Sequence, residues 1–529
     1  MKDPDRIVIP AETTVAILAM LVGLLTLNYL PVGGFYDDGL YVILAKALAT
    51  GHGYRFLNLP GAPDAPHYPP GYPLLLALLW KLGPEFPENL IWFKLLNVVL
   101  LGTIAWTTCR YAVRVLAVTP GIAVLGTLVG TLTIPMLTLV AMVLSEPLFL
   151  ALLIPALILA EEMARGRPGR REAVGLGVLT AAVMLVRSVG VMLPVAVAAV
   201  WLARRHARAA GWYLAVVVVG YAPWLLWTAR HAHDVAPALQ GAYGSYTAWF
   251  LGGLQAGGLP FVLATARTNV HTLAAGIATS FQYGPGAVFA WGTLAVVALM
   301  LAYGAWRARR RAPVTLTFLA LYLALVVVWP DQPLRFVWGV WPLLMLLLLV
   351  PLEVLYAPDT PRPLRWAVAL PALALVPGLV RYNAHGYAND WWDSIPRAAT
   401  ARAQPAIRWT RVHTRRTDVV AGASEPMLYL YAEREALPVA TFTAVQYLRD
   451  RTDGENADYL REIVQAGGAR YVLVQSPGEL AAARALAADT AARPRLTPVD
   501  SAGGLYVFAV GDAPPPAAPP AAPTDSVTR

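Results

Sequence analysis

GFYDDGLYVILAKALATGHGYRFLNLPGAPDAPHYPPGYP, residues 34–73, is the stretch whose reading decides the fold. It lies between apolar runs and is too polar to span a bilayer itself. An acidic pair, Asp37 and Asp38, stands just beyond the first apolar run. Leu40, Ile43, Leu44, Ala47 and Leu48 then recur at helical spacing. Gly51 and Gly53 break that helix, and a Pro-rich loop closes on His67-Tyr68-Pro69-Pro70-Gly71-Tyr72-Pro73. Two carboxylates at the rim of a membrane, followed by a stiff aromatic-proline loop, suit a reaction centre at a water–lipid boundary. The remaining chain reads as its scaffold.

Composition supports that frame. Of 529 residues 57% are hydrophobic and only 14% charged, and the mean hydropathy is +0.54. These values exclude an ordinary soluble domain and point to an α-helical polytopic membrane protein. The net charge of +9 is spread over short basic clusters between apolar runs. That is the pattern of cytoplasmic loops and not of a nucleic-acid surface. The single cysteine, Cys109, excludes an intrachain disulfide and a Cys-based metal site, and its apolar setting fits an inert core thiol. The first run lacks a small-residue cleavage signal before the acidic pair, so it reads as a retained span.

Apolar runs of spanning length lie near 8–30, 90–113, 120–140, 145–163, 173–186, 190–203, 211–229, 286–306, 313–329, 336–356 and 364–380, about eleven in all. Basic clusters fall at Arg110/Arg114, Arg165–Arg171, Arg204–Arg208, Arg307–Arg311 and Arg362/Arg365. Placing every cluster on the cytoplasmic side lets the spans alternate without contradiction. The N-terminus is then cytoplasmic, in a cytoplasmic (inner) membrane. Asp37, Asp38, His67, Arg187, Arg335 and a polar-aromatic loop at 231–285 fall on the other side. The tight pair 173–186 and 190–203 requires a turn below the outer surface, inside protein. The membrane region is thus 1–380, with external loops at 34–73 and 231–285. From 381 to 512 helix and strand patterns alternate, with strands at 418–423, 471–475 and 505–510, which predicts a small external α/β domain. The Pro/Ala-rich tail, 513–529, reads as disordered. No internal repeat is visible.

Ionisable groups near membrane depth are costly, and here they gather at outer span ends. Asp37 and Asp38 follow the first span, Glu146 opens the fourth, Arg187 sits at the outer turn of the short pair, and Asp331 and Arg335 lie between the ninth and tenth. Acids and arginines on one face suit a reaction with a lipid-phosphate leaving group. A carboxylate takes the proton of an incoming hydroxyl, while guanidinium forks hold the departing phosphate. Plainer readings exist beside this one. Asp37-Asp38 fits a solvated membrane boundary, Glu146-Pro147 a helix start, Arg335 a snorkelling anchor and His67 a loop hydrogen-bonder. Trp329, Trp338 and Trp341 read as an interfacial belt before a sugar platform. His231, His233 and Asp234 have metal-ligand character but no third strong ligand nearby in sequence.

In their order, the motifs resemble those of bacterial GT-C fold glycosyltransferases, relatives of protein O-mannosyltransferases and aminoarabinose transferases. Asp37-Asp38-x-x-Tyr41, Gly51-His52-Gly53-Tyr54 and His67 to Pro73 are similar to their first external loop. Leu144-Ser145-Glu146-Pro147-Leu148 resembles their second acidic loop, and Leu185-Val186-Arg187-Ser188-Val189-Gly190 their Leu-x-Arg-x-x-Gly turn. Asp331 to Phe336, followed by Trp341-Pro342, resembles the start of a late span. The resemblance covers about residues 8–380. It implies inverting transfer of a sugar from a polyprenyl-phosphate donor to an acceptor hydroxyl on a glycan, lipid or protein outside the membrane. It makes Asp37 the base, with Asp38 or Glu146 supporting it, Arg187 and Arg335 the donor-phosphate ligands, and Tyr41, His67 and Tyr68 acceptor-side loop residues. A divalent metal ion is left open, because some relatives use one and others do not.

A transporter or flippase of lipid-linked glycans is the competing class. It favours charges along a path through the membrane centre and an internal repeat, and this chain shows neither. A non-catalytic scaffold gives no reason for Arg187 beside an apolar turn.

Overall fold

The computed structural model describes residues 10–282, 284, 286–489 and 493–511. The tail expected at 513–529 and the start of the first expected span lie outside the described residues. The membrane part is built from α1 (Ala11–Leu25), α2 (Asp37–Ala49), α3 (Gly71–Leu82), α4 (Leu90–Tyr111), α5 (Pro120–Thr131), α6 (Ile134–Ala141), α7 (Glu146–Arg165), α8 (Arg170–Val186) and α9 (Met192–Ala203). It continues through α10 (Ala207–Arg230), α11 (Gln240–Tyr243), α12 (Tyr246–Phe281), α13 (Ala287–Ala308), α14 (Pro313–Val328), α15 (Pro333–Trp338), α16 (Trp341–Leu349), α17 (Glu353–Tyr356) and α18 (Arg362–Ala388). Proline opens α5, α6, α7, α14 and α16, where its missing N–H has no partner to lose.

The chain is a helical, multi-pass membrane protein. Among the described residues, α4, α7, α10, α12, α13 and α18 are long and apolar enough to cross a membrane; α5 and α6, bent by 52°, add a seventh if counted as one span. The expected eleven are not matched by length alone. α1, α9 and α14 have 15, 12 and 16 residues, rising about 18–24 Å against a hydrocarbon core of about 30 Å.

The bundle has two chemically distinct ends. α7 starts at Glu146 and finishes at Arg165, about 30 Å further on. There Arg165 donates to the carbonyls of Val115 (2.8 Å) and Arg311 (2.6 Å), Arg311 to Leu116 (2.7 Å) and Arg204 to Ala164 (2.6 Å). Basic clusters far apart in sequence therefore meet, satisfying the last carbonyls of neighbouring helices. α8 and α14 run from this end back to the other, delivering Arg187 and Trp329 there. The turn after α8 is a short 3-10 segment, Ser188–Val191, and Arg187 beside it is largely buried. Of that turn only Gly190 is buried, and Val191 is 38% exposed.

Two elements depart from the sequence reading. α3 is an apolar helix where only the end of a loop was expected. The loop expected at 231–285 is mostly α12, a 36-residue helix broken once, at Gly258 (φ 58°, ψ −150°). Its glycines argue against a helix by propensity, but tertiary contacts override that. Asn269 donates to the carbonyls of Val326, Val327 and Trp329 (2.9, 3.0 and 2.7 Å), which caps the end of α14. α12 thus passes the end of the bundle where Trp329 lies.

After α18 come α19 (Ser394–His413), β1 (Val420–Gly422), α20 (Glu425–Ala432), β2 (Ala436–Leu437), α21 (Asp453–Gly467), β3 (Tyr471–Val474), α22 (Pro477–Ala488), β4 (Leu496–Ala502) and β5 (Leu505–Val510). The strands form one sheet in the order β2-β1-β3-β5-β4. The β1–β2 and β1–β3 pairs are parallel, with Val420 opposite Ala436 and Tyr471; β5 runs antiparallel to β3 and β4. β3 is buried at all four positions, as the centre of a sheet covered on both faces requires. Thr452 with Glu455, and Ser476 with Glu479, cap α21 and α22. The expected α/β domain is present, with β2, β4 and α20 added. α20 packs on the first external loop, where a Cβ at Gly39 would stand 2.8 Å from Pro426, so only glycine allows that approach.

Candidate active site

Four charged side chains from four separate elements of the membrane region join in one chain of contacts. Asp37 Oδ2 accepts from Arg335 Nη1 at 2.5 Å. Arg335 Nε donates to Glu146 Oε1 (2.6 Å), and Arg187 Nη1 reaches the same oxygen at 2.8 Å. Asp37 and Glu146 each open a helix, where the N-terminal dipole favours an anion. Arg187 ends α8 in an extended conformation (φ −146°, ψ 128°), which turns its side chain back onto the bundle. Two carboxylates and two guanidiniums balance, so the buried charges compensate one another. Spare capacity remains: among the described residues, Arg335 Nη2 and Glu146 Oε2 have no hydrogen-bond partner.

The other predicted residues take defined places. Tyr68 donates to Asp37 Oδ1 at 2.7 Å. Burial raises the Asp37 carboxyl, but Arg335, Tyr68 and His67 outweigh it and hold the group below its ordinary range. Asp38 is buried and turned inward; its Oδ1 accepts from the backbone N–H of Phe35 and Gly39, both at 3.0 Å. Burial lifts Asp38 to about 6 despite those bonds. Tyr41 also faces inward and shares a 3.0 Å hydrogen bond with Ser145 Oγ, which accepts from Arg187 at 2.9 Å. His67 Nδ1 is hydrogen-bonded to the Gly244 carbonyl, and burial lowers its basicity.

Asp37, His67 and Tyr68 line a cavity of about 310 Å³; Asp38, Tyr41, Glu146, Arg187 and Arg335 do not. Its far wall comes from the C-terminal domain, at Ala423, Glu425, Pro438 to Ala440, Phe442 and Glu479. Trp329, read from sequence as an interfacial belt residue, belongs to this cavity instead. It packs with Tyr246 (ring centroids 6.0 Å), Trp249 (5.5 Å) and Phe250 (5.7 Å, stacked). α12 supplies those three rings, and that helix was the part least legible in the sequence.

Glu425 and Tyr36 are the site residues that sequence reasoning missed. Glu425 is fully buried, and its Oε1 accepts from Tyr243 at 2.9 Å and from Tyr36. Burial raises its carboxyl to about 7. A signal was available: Ser424-Glu425-Pro426 repeats Ser145-Glu146-Pro147, and each Glu opens a helix at this end of the molecule. No signal marked Tyr36. It sits at φ 69°, ψ −69°, with Asp37 N donating to the Phe35 carbonyl at 2.9 Å. That is the strained γ-turn, placed immediately before Asp37.

The metal question has a partial answer in geometry. His231 and Asp234 do find a third ligand, Asp64 of the first external loop, with ligand atoms all within 4.8 Å of one another; His233 is not part of the group. Among the described residues this is the one His/Cys/Asp/Glu set close enough to hold an ion. Asp37 and Glu146 are instead engaged by arginine.

No family model matches the chain, and no curated protein matches its sequence. Its fold does match solved structures. The Archaeoglobus fulgidus oligosaccharyltransferase tethered with an acceptor peptide superposes with a TM-score of 0.51 at 12% identity, covering 89% of this chain and 70% of that one. The same values hold for archaeal oligosaccharyltransferase AglB from Archaeoglobus fulgidus in complex with an inhibitory peptide and a dolichol-phosphate. ArnT from Cupriavidus metallidurans bound to undecaprenyl phosphate gives 0.50 at 13% identity, covering 94% of this chain and 97% of that one. The chain therefore has the GT-C fold of these membrane proteins.

Proposed function

We propose that the protein is a glycosyltransferase that moves a sugar from a polyprenyl-phosphate donor to an acceptor hydroxyl on the extracytoplasmic face of the membrane. The observation that carries this reading is the contact chain Asp37–Arg335–Glu146–Arg187 behind the wall of a cavity that only Asp37 reaches. The arginines lie on the bundle side of Asp37 and the cavity on the other, so one carboxylate separates a phosphate site from an acceptor site. The neighbours in complex with dolichol-phosphate and with undecaprenyl phosphate support a lipid-phosphate donor. The meeting of four of the basic clusters at the opposite end supports an extracytoplasmic site in an inner membrane.

The step balances as follows. Asp37 takes the proton of the acceptor hydroxyl. The acceptor oxygen forms a bond to the anomeric carbon. The bond from that carbon to the phosphate oxygen breaks, and its electron pair stays on the polyprenyl phosphate. Arg335, with its unengaged Nη2, and Arg187 carry the developing negative charge. Attack from the cavity side with departure on the arginine side inverts the anomeric centre. Glu146 keeps the two guanidiniums apart and aimed. A divalent ion at Asp64, His231 and Asp234 would brace the first external loop against the end of α10; no step above depends on it.

The test uses membrane vesicles and labelled polyprenyl-phosphate sugars, following release of free polyprenyl phosphate and transfer of label. Wild type consumes one donor, and Asp37→Asn lowers that rate by about 10³-fold or more with unchanged protein level. Equal activity of Asp37→Asn refutes the base assignment. Movement of labelled lipid between leaflets without turnover replaces the enzyme by a flippase.

A further inference from the structure

The cavity wall carries a chemical signature beyond the transferase reading. Four carboxyl groups line it, Asp37, Asp331, Glu425 and Glu479, and no Lys or Arg does. An anionic group entering this space would meet carboxyl groups and no lining cation, Asp37 being already paired with Arg335 behind the wall, so like charge disfavours it. The remaining surface is aromatic: Trp329 and Trp249 stand side by side, Trp249 also meets Phe442 of the C-terminal domain (6.1 Å), and Tyr246 closes the row. The rings are tilted to one another by 34–68°; an electron-rich indole face suits the C–H face of a pyranose, and carboxylate oxygens suit its hydroxyls or an ammonium. Pockets that combine an apolar wall with a few placed polar groups are the usual form of a small-molecule site. Glu425 adds an acceptor in reserve, because no other described residue donates to its Oε2.

We propose that this cavity is a sugar-binding acceptor subsite for a neutral or amino sugar that rejects uronic acids and other anionic acceptors, with its selectivity set by Asp331, Glu425 and the Trp249–Trp329 wall. The proposal rests on the transferase reading for the word acceptor. The C-terminal domain then has a role in specificity, since it supplies Glu425, Phe442 and Glu479 to a site whose base belongs to the membrane region.

The test reads binding alone. Saturation-transfer NMR on the full-length, detergent-solubilised protein compares methyl glucoside, methyl glucosaminide and methyl glucuronide, with a serine-containing tripeptide as a fourth probe. A neighbouring cavity of about 780 Å³ shares Gly241 and Trp249 with the first and contains Arg449 and Arg451, but neither Trp329 nor Asp331 lines it. Only the signal lost in Trp329→Ala therefore counts. The glucoside and glucosaminide should show a Trp329-dependent signal and the glucuronide none. Trp329→Ala should weaken binding at least fivefold, and Asp331→Lys, at an exposed position that needs no repacking, should create a glucuronide signal. A Trp329-dependent glucuronide signal in wild type overturns the proposal. So does the absence of any Trp329-dependent sugar signal, including the case in which the tripeptide alone gives one. Because no donor or turnover is involved, loss of the transferase reading shows only in the vesicle assay, and loss of this proposal only here.

Discussion

Glu146 and Glu425 share a tripeptide, Ser-Glu-Pro, and a structural position: each is fully buried and opens a helix beside the site. Their surroundings differ. Glu146 meets two guanidiniums, whereas Glu425 meets two phenols. The first is a fixed anion locked between Arg187 and Arg335. The second has only neutral donors, and burial raises it to about 7. Identical local sequence supplies a carboxyl at a helix start, and tertiary partners decide whether it is a charge clamp or a group close to titration.

Of the two glutamates, Glu146 should show the larger effect when its charge is removed. Glu146→Gln leaves two buried guanidiniums facing one carboxylate. Breaking a buried pair in this way costs about 3–5 kcal/mol, and on the proposed mechanism the two arginines lose their aim at the donor phosphate. Donor turnover in vesicles should fall by about 10²-fold or more, with a lower unfolding midpoint for the solubilised protein. Near-normal turnover would mean that the arginines do not act on the donor.

The same change at Glu425 should be milder and should depend on pH. Glu425→Gln keeps an oxygen for Tyr36 and Tyr243, so turnover at pH 7 should stay within about tenfold of wild type, under about 1.4 kcal/mol. Stability follows from the direction of the shift. A carboxyl raised from 4.5 to about 7 by folding contributes stability that is fully present below pH 4.5 and lost as pH rises through 7. Gln does not titrate. The unfolding midpoint of Glu425→Gln should therefore climb relative to wild type between pH 5 and pH 8, by a total on the order of 3 kcal/mol. A flat difference across that range would contradict the raised carboxyl.

The comparison also shows what a sequence carries. The Arg187 turn, the acidic start of α7, the basic clusters and the loop motif around Asp37 were legible because burying a charge at membrane depth is so unfavourable that its position is informative. Asp37, Glu146, Arg187 and Arg335 could be placed on one face from span alternation alone. Their pairing could not, since contacts between residues far apart in the chain, such as Asp37 with Arg335 and Glu146 with Arg335, depend on packing. α12 was unreadable for a different reason: its glycines lower helix propensity, and its place is set by Asn269 gripping the end of α14. Glu425 lies in a domain whose pattern reads as an ordinary α/β unit, and nothing in that pattern says which edge faces the membrane.

Tyr36 connects the two glutamates' territories, and its hydroxyl should have the smallest effect. Its backbone is held in a γ-turn that costs about 1–3 kcal/mol, and the turn fixes the direction in which Asp37 leaves the loop. The ring's hydroxyl contact with Glu425 tethers that turn to the C-terminal domain. Tyr36→Phe removes a single hydrogen bond, worth about 1–2 kcal/mol beside a carboxyl, and leaves Tyr243 in place. If the tether holds the turn, Tyr36→Phe and Glu425→Gln should lower turnover by similar small factors, and the double variant should be no worse than either alone. Additive losses would instead separate the two residues, leaving the turn supported by the Asp38 bonds to Phe35 and Gly39 and confining the C-terminal domain's contribution to the cavity wall.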